Sequence, residues 1–417
     1  MSRLTDLYAT EDQSPWLDNV RRDWIENGEM QRWVDRGVRG VTSNPTIFQK
    51  AISGGDAYDD QFRELLASGT SVTNAYWELV VTDITNVLSI LRPVYDSSNG
   101  IDGYVSIEVS PLLARDTDGT AAAARHLHGL INQPNLYIKI PGTAEGLPAI
   151  KAMISEGVSV NVTLLFSLER YREVMEAYIA GLEARDGDLS GVSSVASFFI
   201  SRVDSETDKR LEALGSDDAK ALMGKVAVAN AQVAYEAFLE TFSGPRWDAL
   251  VARGARPQRP LWASTSTKNP DYPDTLYVDS LIGPNTVNTI PEKTLDDFDD
   301  HGTVARTIDA DLAGAHAVLN GSPRWVFHSQ TSPRNSKTKE WRHSQSHSTT
   351  FLSHSPRRRR LCGDRFARRR RRRRCSFCAI SGRSSLGLER PVFSGVLRRF
   401  NCEGVLRASL TSIGVSR

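Results

Sequence analysis

From residue 14 to residue 291 the chain alternates short apolar, β-branched runs with longer stretches in which apolar residues recur at helical spacing. Eight runs stand out: SPWLDN (14–19), RGVTSN (39–44), YVSIEV (104–109), LYIKIPG (136–142), VSVNVTLLF (158–166), VSSVASFFI (192–200), PLWASTS (260–266) and NTVNTIP (285–291). They are continuous rather than strictly alternating, the pattern of parallel strands covered on the outside by helices.

The helical period is clearest after the fifth run. Leu168, Tyr171, Val174, Met175, Tyr178, Ile179 and Leu182 fall on one stripe, while Glu169, Arg170, Arg172, Glu173 and Glu183 fall elsewhere. Ser167 stands where an N-cap is expected. Further helices are predicted over 24–34, 74–91, 120–131, 145–154, 205–214 and 218–242. Eight strands, each followed by helix within about 320 residues, is the element count of a (β/α)8 TIM barrel. A doubly wound sheet is the alternative, because periodicity carries no information on closure. No GxGxxG or GxxxxGK[ST] follows a strand, which counts against a nucleotide-binding sheet.

In a barrel, chemistry collects at the C-terminal ends of the strands. This chain places Asp18 at the end of the first strand, Asn44 at the second and Glu108 at the third. Lys139 lies within the fourth, Asn161 and Thr163 within the fifth, Ser197 on the sixth with Arg202 nearby, and Ser264 on the seventh with Lys268 beyond it. Lys139 is flanked by Tyr137, Ile138 and Ile140, so its ammonium must shed its charge or be paired. A buried lysine with a carboxylate in reach suits Schiff-base chemistry on a carbonyl; a structural ion pair with Glu108 is the other reading. Asp18 could equally cap the next helix, and Asn44 could be a turn residue before proline. Each signal is weak alone; their recurrence at successive strand ends is specific.

These residues resemble those of the transaldolases, class I aldolase-type transferases. GVTSNPTIFQKAI (40–52), LYIKIPGTAEGLPAI (136–150) and VSVNVTLLFSLERY (158–171) resemble family motifs, as does WASTSTKNPDYPDTLYVDSLIGPNTVNTIP (262–291) for its longer-chain, actinobacterial-like branch. The resemblance covers about residues 10–322. It implies a class I aldolase-type barrel that moves dihydroxyacetone from sedoheptulose 7-phosphate to glyceraldehyde 3-phosphate in the pentose phosphate pathway, with no cofactor and no metal. By that resemblance Lys139 forms the imine, Asp18 takes the C4 hydroxyl proton, and Glu108 with Thr163 serves imine formation as acid and base. Asn44, Asn161 and Ser197 would bind the three-carbon unit, and Arg202 and Lys268 the phosphate, with Ser264 also in the substrate site. Lys268 stands where the family often has arginine, so the charge is kept but bidentate binding is lost. Phe199 would form an apolar wall against water. A lyase resembling fructose-6-phosphate aldolase is the second reading.

Composition changes the picture at the far end. The chain has 417 residues and a formal net charge of +1, yet residues 326–417 hold 22 of its 51 Lys and Arg and only 4 of its 50 Asp and Glu. All four cysteines, Cys362, Cys375, Cys378 and Cys402, lie there too. The organisation expected is an acidic barrel over 1–322 and a basic, Arg-rich, disordered tail over 323–417. Codons for 325–351 can be chosen so that a shifted frame reads an acidic, amphipathic helix, which points to a frameshift product. The rival is a nucleic-acid-binding tail on an inactive barrel, using Arg357–Arg360, Arg368–Arg374 and a zinc knuckle begun by Cys375 and Cys378. Against it, CSFC lacks a second pair at suitable spacing, so only non-specific nucleic-acid contact is expected. No stretch approaches the ~18 apolar residues of a membrane span, and the start lacks signal-peptide character, so the cytoplasm is the expected compartment. Sugar phosphates are the expected partners, and oligomeric state, a homo-oligomer included, is left open.

Overall fold

The computed structural model describes residues 2–322, in which eight parallel strands close into one barrel in chain order. The strands are β1 (Gln13–Leu17), β2 (Gly40–Val41), β3 (Tyr104–Glu108), β4 (Leu136–Pro141), β5 (Val160–Leu165), β6 (Ser194–Phe199), β7 (Arg259–Ala263) and β8 (Thr286–Ile290). Each overlaps one of the apolar runs, although β2 keeps only Gly40 and Val41 of the run 39–44 and β1 and β7 begin one residue before theirs. Pairing of β1 with β8, from Gln13↔Thr286 to Leu17↔Ile290, closes the sheet and excludes the doubly wound alternative. The basic segment, with its cysteines and arginine runs, lies outside the described residues.

Helix Leu168–Glu183 forms as predicted, with the Ser167 hydroxyl accepting from Arg170 N. The predicted 24–34 helix is two short ones, Arg22–Glu26 and Glu29–Asp35, broken at Gly28 with φ 79°. The predicted 218–242 helix is likewise divided into Asp217–Leu222 and Val226–Thr241 around Gly224, φ 72°. Both glycines adopt a left-handed backbone that ends a helix cheaply. Helix Val72–Ser97 runs past its predicted end and through Pro93; that ring sits on the exposed side, where water can take the carbonyl left without a donor. Among the described residues no helix is long and apolar enough to cross a membrane.

The barrel interior is filled in layers. At the N-terminal end, Asp102 is fully buried and meets Arg39 Nε at 2.7 Å, Arg259 Nη2 at 2.9 Å and the Ser14 hydroxyl at 2.8 Å. Burial opposes its ionisation, but Arg259 and Arg39 outweigh it and hold the carboxyl below its usual range. Above lie Trp16, Tyr104 and Tyr137, with the two tyrosine rings stacked 4.1 Å apart. Trp16 needs the space of Gly40: a Cβ there would stand 2.4 Å from the indole. Higher still, Asn161 Nδ2 donates to the Ser106 hydroxyl at 3.0 Å, and the Ser197 hydroxyl donates to Asn161 Oδ1 at 2.7 Å. Among the described residues these layers fill the barrel beneath its C-terminal end.

Candidate active site

At that end opens a cavity of about 1210 Å³. Sheet register determines which groups become neighbours here: Glu108 pairs with Lys139 at the cavity, and Lys139 with Asn161 beneath it, on adjacent strands. Lys139 Nζ stands 3.8 Å from Glu108 Oε2 and donates to the Ser43 carbonyl at 3.4 Å. Their side chains are 8% and 11% exposed, so the charges attract through a weakly screening medium. The ion pair anticipated as the structural reading of Lys139 is therefore present, and both of its members line this cavity.

Burial pushes the Glu108 carboxyl up; Lys139 and Arg202 pull it back, and Asp18 adds to the rise. Asp18 is raised too, first by burial, against the opposing pull of Lys139, Thr42, Arg202 and Lys268. It caps no helix. Helix Arg22–Glu26 begins after Arg21, and the Asp18 carboxylate instead accepts from the Thr42 hydroxyl at 2.7 Å. Asn44 both caps and lines: its Oδ1 accepts from Ile47 N at 3.0 Å at the start of helix Pro45–Ser53, and the residue borders the cavity.

Thr163 and Ser197 border the cavity as well, whereas Asn161 does not. It sits one layer deeper, with its amide engaged by Ser106 and Ser197. Phe199 forms an apolar wall, its ring tilted against Phe166 at 5.3 Å and covered by the Arg202 guanidinium at 4.7 Å. Arg202, Ser264 and Lys268 also border the cavity, with Ser201 N, next to Arg202 in the chain, donating to the Ser264 carbonyl at 3.0 Å. Burial lowers the pKa of Lys268, as do Arg202 and Lys50, while Asp18 opposes them. Two bordering residues, Leu164 (φ 65°) and Ser264 (φ 59°), hold left-handed backbone without being glycine. Such strain persists where the surrounding structure enforces it, and it clusters at functional sites.

Sequence reasoning passed over Thr42 and Lys50. Thr42 lies inside the GVTSN run, two residues before Asn44, but it had no pattern of its own. Lys50 rides on helix Pro45–Ser53, absent from the predicted set although Asn44 followed by Pro45 is an N-cap and N1 signal.

Chemically the arrangement offers a buried amine near two carboxyls whose pKa values burial raises, with cations and an apolar ring also lining the cavity. The model of the transaldolase/fructose-6-phosphate aldolase family matches residues 15–353. A protein named transaldolase from Thermobifida fusca is 56% identical over 293 residues, 69% of this chain and 80% of that one. Namesakes from a Parafrankia species (53% over 321 residues, 76% of this chain and 87% of the other) and from Mycolicibacterium paratuberculosis (55% over 296 residues, 70% and 79%) are similarly close.

Proposed function

The chain belongs to the transaldolase/fructose-6-phosphate aldolase family, and from that premise we propose that Lys139 is the amine through which it carries out transaldolase transfer. The donor is a ketose phosphate such as sedoheptulose 7-phosphate, the acceptor glyceraldehyde 3-phosphate, and the setting the cytoplasmic pentose phosphate pathway. The observation that carries the reading is Lys139 at the cavity floor, 3.8 Å from Glu108 and within electrostatic reach of Asp18.

Lys139, deprotonated, attacks the ketose C2 carbonyl, and Glu108 with Thr163 relays protons as water leaves and the imine forms. Asp18 accepts the C4 hydroxyl proton, the C3–C4 bond breaks and the aldose phosphate departs. The C3 carbanion is delocalised into the imine and waits for an acceptor aldehyde. Its raised pKa supports Asp18 as the base: a carboxylate that binds a proton more tightly than usual is a stronger base. Asn44 and Ser197 hydrogen-bond the retained three-carbon unit, with Asn161 orienting Ser197 from below. Arg202 and Lys268, with Ser264, receive the phosphate. The Phe199 ring, backed by Phe166, keeps water from the carbanion, which favours transfer over release.

Borohydride reduction in the presence of labelled fructose 6-phosphate tests this directly. Label is expected on Lys139; its absence would sink the Schiff-base reading. Free dihydroxyacetone released without an acceptor would favour the lyase. We also take residues 1–322 as the barrel and 323–417 as the product of a shifted reading frame. Resequencing the DNA around codon 322 decides that: if the present frame is confirmed and no neighbouring frame encodes an acidic helix, the frameshift is wrong.

A further inference from the structure

Resting on the reading above, we propose that Asp208 and Tyr272 are positioning residues for phosphate recognition, tying the loop that carries Lys268 to the helix that carries Arg202. Helix Ser201–Leu214 starts at the cavity edge with Arg202 in its first turn. The loop leaving β7 touches that helix at both ends. At the near end Ser201 N donates to the Ser264 carbonyl at 3.0 Å, and the two serine hydroxyls are 2.9 Å apart. At the far end the Tyr272 hydroxyl donates to Asp208 Oδ2 at 2.7 Å. Lys268 lies between these anchors.

Asp208 is itself held. Its other oxygen accepts from Gly224 N at 3.0 Å, and one turn back along the helix Asp204 accepts from Ala227 N at 2.8 Å. A Cβ on Gly224 would fall 2.8 Å from the Tyr272 ring, so the break between the two following helices leaves room for this phenol. The need for an anchor is electrostatic. Arg202 and Lys268 are near enough for the guanidinium to help lower the pKa of the amine, so without bound anion their repulsion works to splay the loop outwards. The far anchor opposes that motion and keeps both cations where a single phosphate ester can meet them.

Full-length Tyr272→Phe keeps the ring and removes the hydroxyl. With fructose 6-phosphate as donor, KM and the inhibition constant of inorganic phosphate are both expected to rise about tenfold, the scale of one hydrogen bond to a charged group. The kcat is expected to stay near wild type, and kcat/KM with unphosphorylated fructose to be unchanged. Asp208→Asn, which weakens the same bond from the other side, is expected to shift the phosphate constant in the same direction. Unchanged phosphate inhibition in both variants, or an equal loss with fructose and fructose 6-phosphate, overturns the proposal. Borohydride trapping on the wild type separates this from the mechanism: label on Lys139 with unaltered phosphate discrimination in the variants sinks the anchor alone.

Discussion

Glu108 Oε2 lies 3.8 Å from Lys139 Nζ, directly across the β3–β4 register, and the lysine donates instead to the Ser43 carbonyl. That separation is too long for a hydrogen bond but short for Coulomb attraction in a buried setting. The carboxyl is thus free to exchange protons with a reacting group while its charge still steadies the amine. Glu108→Gln preserves shape and removes the exchangeable charge. It is expected to lower kcat by about 10²- to 10⁴-fold and to slow borohydride-trappable imine formation in rapid-quench experiments. A variant with wild-type trapping kinetics would remove Glu108 from proton transfer.

Asp18 offers a test by pH. Burial raises its pKa, and the Thr42 hydroxyl works against that rise by donating to the charged form. If deprotonated Asp18 is the base, the acid limb of kcat/KM lies above the ordinary carboxylate range. Thr42→Val removes the donor and is expected to move that limb to still higher pH. A limb that stays put or moves down would assign it to another group.

A stability experiment follows from Asp204. Burial, then nearby Asp208, push its pKa up to about 7, although Ala227 N and the Tyr277 phenol favour its charged form. The unfolded chain releases this proton near pH 4, whereas the folded chain keeps it until about 7. The stabilising contribution is therefore complete below about pH 4 and lost as pH rises to about 7, a change of roughly 4 kcal/mol by linkage. Asp204→Asn keeps the acceptor for Ala227 N and does not ionise. Denaturant titrations are expected to show it more stable than wild type at pH 8, with the difference shrinking towards pH 4; a pH-independent difference would contradict this.

Gly40 tests the packing of the barrel floor. Its would-be Cβ position lies 2.4 Å from the Trp16 indole, whose ring also stacks with Tyr137 at 6.1 Å. Gly40→Ala is expected to cost about 1–3 kcal/mol by overpacking. Adding Trp16→Leu, which vacates the space, should make the alanine nearly neutral in a double-mutant cycle; strict additivity would mean that the two do not meet.

The eight strands and the polar residues at their ends could be read in the sequence, because parallel strands buried on both faces leave continuous apolar runs and a charge such as Lys139 inside one is conspicuous. Helices broken at Gly28 and Gly224 were less legible, since a lone glycine in a periodic stretch does not reveal whether its φ is positive. The chain's two opposed charge regimes were also a property of sequence alone.

Closure was decided only by tertiary structure, because it depends on β1 meeting β8 across nearly the whole barrel sequence, and local pattern carries no signal for such a pairing. Register then decided that Glu108 faces Lys139, that Asn161 lies beneath the cavity rather than in its lining, and that Thr42 rather than a helix end engages Asp18. The bond between Tyr272 and Asp208 is of the same kind. Residue types and local spacing settle which strand a side chain rides on; whom it meets depends on how separate strands and loops pack.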